Sequence, residues 1–375
     1  MIKPVKFTLS ALVTALSLSS VSAQAETEDG IDVTGTLRIK YAYKDYSADS
    51  TAKGGEIGLD IAAIKFNGKK GDWGISAEYR FTADSHFIKH GYGYYDASPA
   101  WQIQFGMTKN PFGNPGFISN SFWLGMPYYF GMEDDSDMGI KAVYNKDGWQ
   151  SDIAFFKNSE YAGSENKQYA ADLYSGNING TDYSNEESNQ LSLRQTYTMQ
   201  HQGGSTTLGG SLQIGQIYNN LSQNNGDRYA AAVHLDSSYH GWNLQLQAIQ
   251  YEFNAADSVD PNKVALAFLS WQYEVAAKGQ IYSLNIAKTI PTSFGSVKCY
   301  NDFGLMTPDV ADASYDNSKQ NVIGCAVAAG PTYTMFDFIM GNNMVFATPL
   351  DDHIGLAQIG KGWDKRININ FGYYF

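Results

Sequence analysis

The chain has 375 residues, of which 43% are hydrophobic, 17% charged and 14% aromatic, with a formal charge of -12 and 2 cysteines. That hydrophobic content excludes a disordered chain, the cysteine count excludes a disulfide-built miniature, and the acidity excludes a general nucleic-acid binder, which needs Lys and Arg against phosphates. What stands out is 26 Tyr beside 20 Phe and 7 Trp in a chain whose mean hydropathy of -0.33 is too polar for a bundle of membrane helices.

Lys3 and Lys6 precede the apolar run Phe7 to Val21, which ends in Ala23-Gln24-Ala25. A charged start, a short apolar stretch and a small-residue cleavage site predict a secretory signal peptide over 1–25 and a mature, exported chain over 26–375. After Glu26 no run reaches the roughly 18 apolar residues of a membrane helix. Two exported fates remain, a soluble periplasmic β protein and an outer-membrane barrel.

Periodicity separates them. Val33, Leu37, Ile39, Tyr41 and Tyr43 share one parity, and Thr34, Thr36, Arg38, Lys40 and Lys44 the other. Trp73, Ile75, Ala77, Tyr79 and Phe81 alternate with Ser76, Glu78 and Arg80, and Trp101, Ile103, Phe105 and Met107 with Gln102, Gln104 and Thr108. Alternate side chains of a strand point to opposite faces, so each segment has one apolar face and one long-chained polar face. A wet interior and a greasy exterior are the barrel arrangement. Tyr, Trp and Phe gather at segment ends, as in Tyr92 to Tyr95, Trp101, Trp149, Trp242 and Trp363, which predicts aromatic girdles at the lipid headgroups.

Strands are expected at 33–46, 56–67, 72–82, 87–96, 101–109, 139–145, 149–157, 189–199, 206–218, 228–236, 242–253, 280–288, 297–305, 320–330, 332–341 and 363–375. A further candidate, 263–275, would make the number odd and leave the two ends of the chain on opposite sides. It is assigned to an exterior excursion, on the break Ala276-Ala277-Lys278-Gly279. The expected fold is therefore all-β, a transmembrane antiparallel barrel of 16 strands, with 18 as the alternative. Short connections such as Lys146 to Gly148 alternate with longer ones such as Asn110 to Met138 and Asn158 to Ser188, as periplasmic turns alternate with exterior loops.

The end of the chain carries the pattern most cleanly. Ile367, Ile369, Phe371, Tyr373 and Phe375 alternate with Arg366, Asn368, Asn370, Gly372 and Tyr374. This resembles the terminal strand of outer-membrane barrels, in which Phe371, Tyr373 and Phe375 would be the assembly signal. The resemblance implies the barrel-assembly machinery, outer-membrane lipids and lipopolysaccharide as partners, and the outer membrane of a Gram-negative bacterium as the location.

The connection Asn110 to Met138 contains Pro111-Phe112-Gly113-Asn114-Pro115-Gly116-Phe117, Phe122-Trp123, Tyr128-Tyr129-Phe130 and Glu133-Asp134-Asp135-Ser136-Asp137. Here the chain resembles the Gram-negative porins, whose loop after strand five folds inward and narrows the channel. Gln104 to Gly113 and the ending Gly372-Tyr373-Tyr374-Phe375 are most similar to the phosphate-selective porin O/P-like group. The resemblance implies a porin, a homotrimer in the family's pattern, that passes small hydrophilic solutes and ions by passive diffusion. In such a loop Phe112, Phe117, Phe122 and Trp123 are expected to anchor on the wall, with stacking against sugar rings as the other use of aromatics. Glu133, Asp134, Asp135 and Asp137 are expected to present negative charge to the passage.

Parity places Arg38, Lys40, Lys44, Arg80, Lys141, Arg194, Arg228 and Arg366 on the lumen side against Glu78, Asp152, Asp236 and Asp364, a basic wall on an acidic protein. Such a wall either favours anions, making a solute-selective channel for anions or oligosaccharides the alternative function, or pairs locally. Cys299 and Cys325 are equidistant from Asp312, so a hairpin turning there sets them opposite each other, within reach of a disulfide or as two separate thiols. No nucleophile, metal or phosphate motif occurs, and no catalytic residue, cofactor or nucleic-acid partner is expected.

Overall fold

The computed structural model describes residues 29–114, 118–162, 168–345, 353–360 and 362–375. The leader 1–25 lies outside the described residues. Sixteen long strands form the wall: β1 (Gly30–Lys44), β2 (Glu56–Lys70), β3 (Trp73–Phe81), β4 (His86–Ser98), β5 (Trp101–Lys109), β6 (Ser136–Lys146), β7 (Trp149–Asn158), β8 (Thr181–His201), β9 (Gly204–Asn219), β10 (Asn225–Tyr239), β11 (Trp242–Asn254), β12 (Lys278–Thr292), β13 (Gly295–Pro308), β14 (Ser318–Ala329), β15 (Thr332–Asn342) and β16 (Asp364–Tyr374).

Each strand pairs antiparallel with the next, and β16 pairs with β1, closing a barrel in which every wall strand has a neighbour on both sides. Closure reaches the last residue: Phe375 N–H donates to the Gly35 carbonyl at 3.1 Å, and Gly35 N–H to the Phe375 carbonyl at 2.8 Å. A short strand, Ser175–Ile178, folds back on the start of β8 and stays outside the ring.

Connections alternate between tight turns at one end and mostly longer segments at the other, where 82–85 and 220–224 are short. Two of the turns show the chemistry that makes them tight. Asp147 and Gly148 (φ 53° and 84°) and His240 and Gly241 (φ 46° and 79°) both place two consecutive residues at positive φ, the twist that a two-residue hairpin demands.

Burial is inverted relative to a water-soluble domain. On β16, Ile367 and Phe371 are 41% and 42% exposed, whereas Asn368 and Asn370 are 4% and 2% exposed. The same inversion runs round the ring, from Val33, Leu37 and Ile39 to Ile323 and Phe336. An apolar face turned outward all round the barrel requires an apolar solvent, which a bilayer supplies. Aromatics cluster at the tight-turn end: Trp73 packs on Tyr95 at 4.7 Å, Trp101 on Tyr144 at 5.0 Å and Trp149 on Tyr197 at 4.6 Å. They form one interfacial girdle.

The candidate strand 263–275 is outside the ring, in the long connection between β11 and β12 as expected, but that connection folds into the barrel. Lys263–Phe268 and Trp271–Ala276 form a hairpin that joins Asp172–Leu173 and His353–Ile354 in a separate four-stranded sheet. Val264, Leu266, Tyr273 and Val275 are completely buried. They pack with Met126, Tyr128, Phe130 and Tyr169, and with wall residues Ile217, Tyr251, Ile281 and Met306. The apolar run that reads like a barrel strand thus faces a core inside the barrel.

Candidate functional site

Residues 110–114 and 118–135 of the β5–β6 connection leave the wall and lie across the lumen. Gly113 N–H donates to Ser211 Oγ on β9 at 3.1 Å, and Asn114 N–H to Gln247 Oε1 on β11 at 2.9 Å. Farther along, Asn120 donates through its backbone N–H and its Nδ2 to Asp302 on β13, both at 2.7 Å, and Ser121 N–H adds a third bond at 3.1 Å. Gln320 Nε2 on β14 donates to the Leu124 carbonyl at 2.8 Å. The short helix Met126–Phe130 then buries itself against the inner sheet, where Tyr273 OH donates to the Tyr129 carbonyl at 2.7 Å. Gly131 closes the helix at φ 66°, with the Ala171 carbonyl filling the space where a Cβ would stand. Only glycine allows that conformation and that approach.

Phe112 is buried in the inner core. Phe117 lies outside the described residues. Phe122 sits under the Arg38 guanidinium at 3.8 Å and against Tyr333, and Trp123 under Arg366 at 4.6 Å. These aromatics hold the loop to the β1, β15 and β16 wall through cation–π and ring contacts.

The acidic run is not where its expected role requires. Glu133, Asp134, Asp135 and Asp137 are all at most 7% exposed, because each finds partners on the loop or wall and none faces an open passage. Glu133 accepts from Ile118 N–H at 3.0 Å. Burial and the adjacent Asp134 carboxylate push its pKa up to about 8, against the Ile118 and Gly125 N–H groups. Asp134 bridges Lys89 at 2.6 Å and Lys109 at 2.5 Å. Burial raises its pKa, but the two ammonium groups outweigh that and hold it below the usual carboxylate range. Asp135 and Asp137 share the Asn110 amide at 3.3 and 2.9 Å.

The basic residues picked out by parity do not form an unopposed positive wall. Arg38 and Lys40 bind Asp60 at 2.8 and 3.3 Å, Arg80 binds Glu78 at 2.5 Å, Arg194 binds Asp152 at 3.0 Å, and Arg228 binds Glu187. Lys141 donates to the Lys109 carbonyl at 2.7 Å, and Arg366 to Asn368 at 2.8 Å. Desolvated cations on a wall require such partners.

Sequence reasoning missed Asp60 and Lys89 for one reason. Arg38 pairs with Ile61 and Ile39 with Leu59, leaving Asp60 as the extra residue; Glu78 pairs with His90 and Tyr79 with Ile88, leaving Lys89 extra. A bulge reverses the facing of every residue after it on the strand. Asp302, by contrast, shares parity with Tyr300 and Gly304 and was readable from alternation.

The infolded segments cover one side of the lumen more completely than the other, although Phe122, Asp134 and Tyr169 also reach Arg38, Lys89 and Arg80 on β1, β4 and β3. Lumen-facing Ser192, Arg194, Gln213 and Gln247 on β8, β9 and β11 are buried. On the first four strands, Lys40 and Lys69 keep 34% and 22% of their side chains exposed, and Lys65, Tyr92 and Tyr94 are likewise only partly buried. That face carries Arg38, Lys40, Lys65, Lys69 and Arg80 against Asp32, Asp60, Glu78 and Asp96.

On the outer face, Cys299 and Cys325 stand directly opposite in the β13–β14 register, Cα atoms 4.0 Å apart, with their sulfurs bonded. Phe371, Tyr373 and Phe375 are exposed at the end of the chain.

No family model matches the sequence, and no curated protein matches it. Solved structures match the fold. OmpT, an outer-membrane protein of Vibrio cholerae in its trimer form, aligns with a TM-score of 0.60 at 11% identity over 92% of this chain and 99% of that one. The outer membrane channel DcaP of Acinetobacter baumannii aligns at 0.60 and 15% identity over 92% and 97%. The anion-selective porin from Comamonas acidovorans aligns at 0.59 and 12% identity over 93% and 100%. The likeness is one of fold, a closed barrel spanning nearly the whole of both chains.

Proposed function

We propose that the protein is an outer-membrane porin of a Gram-negative bacterium, passing small hydrophilic solutes and ions by passive diffusion. The observation that carries this reading is the partly exposed, charged inner face of β1–β4 beside a lumen otherwise covered by infolded loops. It supports a hydrated passage displaced to one side of the barrel, bounded by the infolded residues 118–135. The reading assigns transport and no chemistry. Purified protein in planar bilayers is expected to give discrete ohmic conductance steps; a folded barrel that inserts without conducting overturns it.

A second reading is anion preference. It is supported by the small excess of positive charge on that inner face, where Lys40 and Lys69 are ion-paired but remain partly exposed. Within it falls the resemblance to phosphate-selective porins. A homotrimer is proposed on the likeness to the trimeric neighbour, and recognition by the barrel-assembly machinery on Phe371, Tyr373 and Phe375. Lipid and lipopolysaccharide contacts follow from the exposed apolar belt.

A further inference from the structure

Four carboxylates meet where two infolded connections touch the wall. Asp135 and Asp137 come from the end of the β5–β6 connection and the start of β6, and Glu160 and Asp172 from the β7–β8 connection. Each offers an oxygen within 4.8 Å of the other three. None of the four residues is more than 4% exposed. Like charges taken out of water at this spacing repel strongly unless protons neutralise them or a positive partner joins them. The neighbouring cations hold other acids: Lys89 and Lys109 hold Asp134, and Arg228 holds Glu187.

An independent feature points the same way. Asn110 and Gln190 are 5% and 4% exposed. Both aim their amides into the cluster, Asn110 Nδ2 at 2.9 Å and Gln190 Nε2 at 3.2 Å from Asp137 Oδ2. Among the described residues their amide oxygens have no hydrogen-bond donor, and neither do Oδ1 of Asp135 and of Asp137, while the Glu160 and Asp172 carboxyls meet at hydrogen-bonding distance. Buried oxygens without donors are rare. Rotating either amide about its terminal bond exchanges nitrogen for oxygen in the same space, so these side chains can turn lone pairs on the same centre.

We propose that Asp135, Asp137, Glu160 and Asp172 bind a calcium ion that clasps the β5–β6 and β7–β8 connections together, with Asn110 and Gln190 supplying further oxygens. Calcium takes six to eight oxygens at about 2.3–2.6 Å, so opposed ligands lie about 5 Å apart, the span of this cluster. Magnesium requires a tighter octahedron and retains water, and the absence of His or Cys from the four-residue cluster disfavours softer metals. Asp172 also begins the inner sheet, pairing with Ala267. The ion therefore joins the constriction loop to the inner core, and Gln190 joins both to β8.

The test is calcium titration of the full barrel, folded in detergent, stripped with chelator and free of lipopolysaccharide. One saturable site per chain is expected, weakened at least tenfold in Asp172→Asn and lost in Glu160→Gln with Asp172→Asn, while terbium gives tyrosine-sensitised luminescence that calcium quenches. No saturable calcium binding by the folded wild-type barrel overturns the proposal, as does unchanged binding in the double variant. Equal affinity for magnesium overturns the calcium assignment. If the double variant does not fold, the wild-type titration and the single variant decide the question.

Discussion

Asp302 on β13 accepts two hydrogen bonds from Asn120, one from the backbone N–H and one from the side chain, both at 2.7 Å. The pair spans from the far wall to the middle of the infolded loop. With Ser121 N–H as a third donor, it makes one carboxylate the principal tether of that segment.

Asp302→Ala leaves three donors of the loop without their charged acceptor. Hydrogen bonds to a charged group contribute about 1.5–3 kcal/mol each, though water entering the gap recovers part of this. Residues 118–124 are expected to exchange their amide hydrogens at least tenfold faster, and single-channel recordings to show increased open-state noise. Unchanged exchange there would show that the aromatic contacts of Phe122 and Trp123 hold the loop alone.

Selectivity is expected to track exposure. Replacing Lys40, Lys65 and Lys69 by Gln removes positive charge from the open face and should move the reversal potential in a salt gradient toward cation preference. Arg194→Gln, on a residue 5% exposed and bound to Asp152, should leave the reversal potential in place while lowering stability, because it strands a buried carboxylate. An equal shift from both variants would refute the one-sided passage.

The Cys299–Cys325 bond links adjacent strands across a separation of 26 residues. Closing a loop of that length in the unfolded chain stabilises by about 3.5 kcal/mol on the chain-entropy model. Cys299→Ser with Cys325→Ser is expected to lower the temperature at which the barrel loses its compact gel mobility, with conductance unchanged because both residues face outward. Peptide mapping without reduction should recover the two cysteines in one linked fragment.

Removing Phe375 should separate assembly from stability. Its backbone makes a reciprocal pair with Gly35 at the seam, yet the residue is 65% exposed. Refolding into detergent is expected to proceed with modest loss, whereas the amount of folded protein reaching the outer membrane in cells should fall several-fold. Equal losses in both settings would argue for a packing role alone.

Most of the barrel was legible in the sequence because strand alternation is local. Ile367, Phe371 and Tyr373 declare one face and Arg366, Asn368 and Asn370 the other without reference to anything distant, and tight turns such as Asp147-Gly148 announce themselves by composition. Sixteen strands came from that alternation together with the need for both ends of the chain to lie on one side. The interior was not legible, because it rests on contacts between segments far apart in the chain. The run from Val264 to Val275 has the composition of a wall strand, and only its packing against Tyr128 and Tyr251 shows that it fills the barrel. Asp60 and Lys89 hid behind bulges, where one added residue breaks the parity rule. The acids of residues 133–137 read as negative charge facing the passage, but the fold draws in Lys89, Lys109, Glu160 and Asp172 from other parts of the chain and makes of them a buried junction. Residue type declared the charge; the tertiary structure decided what each charge meets.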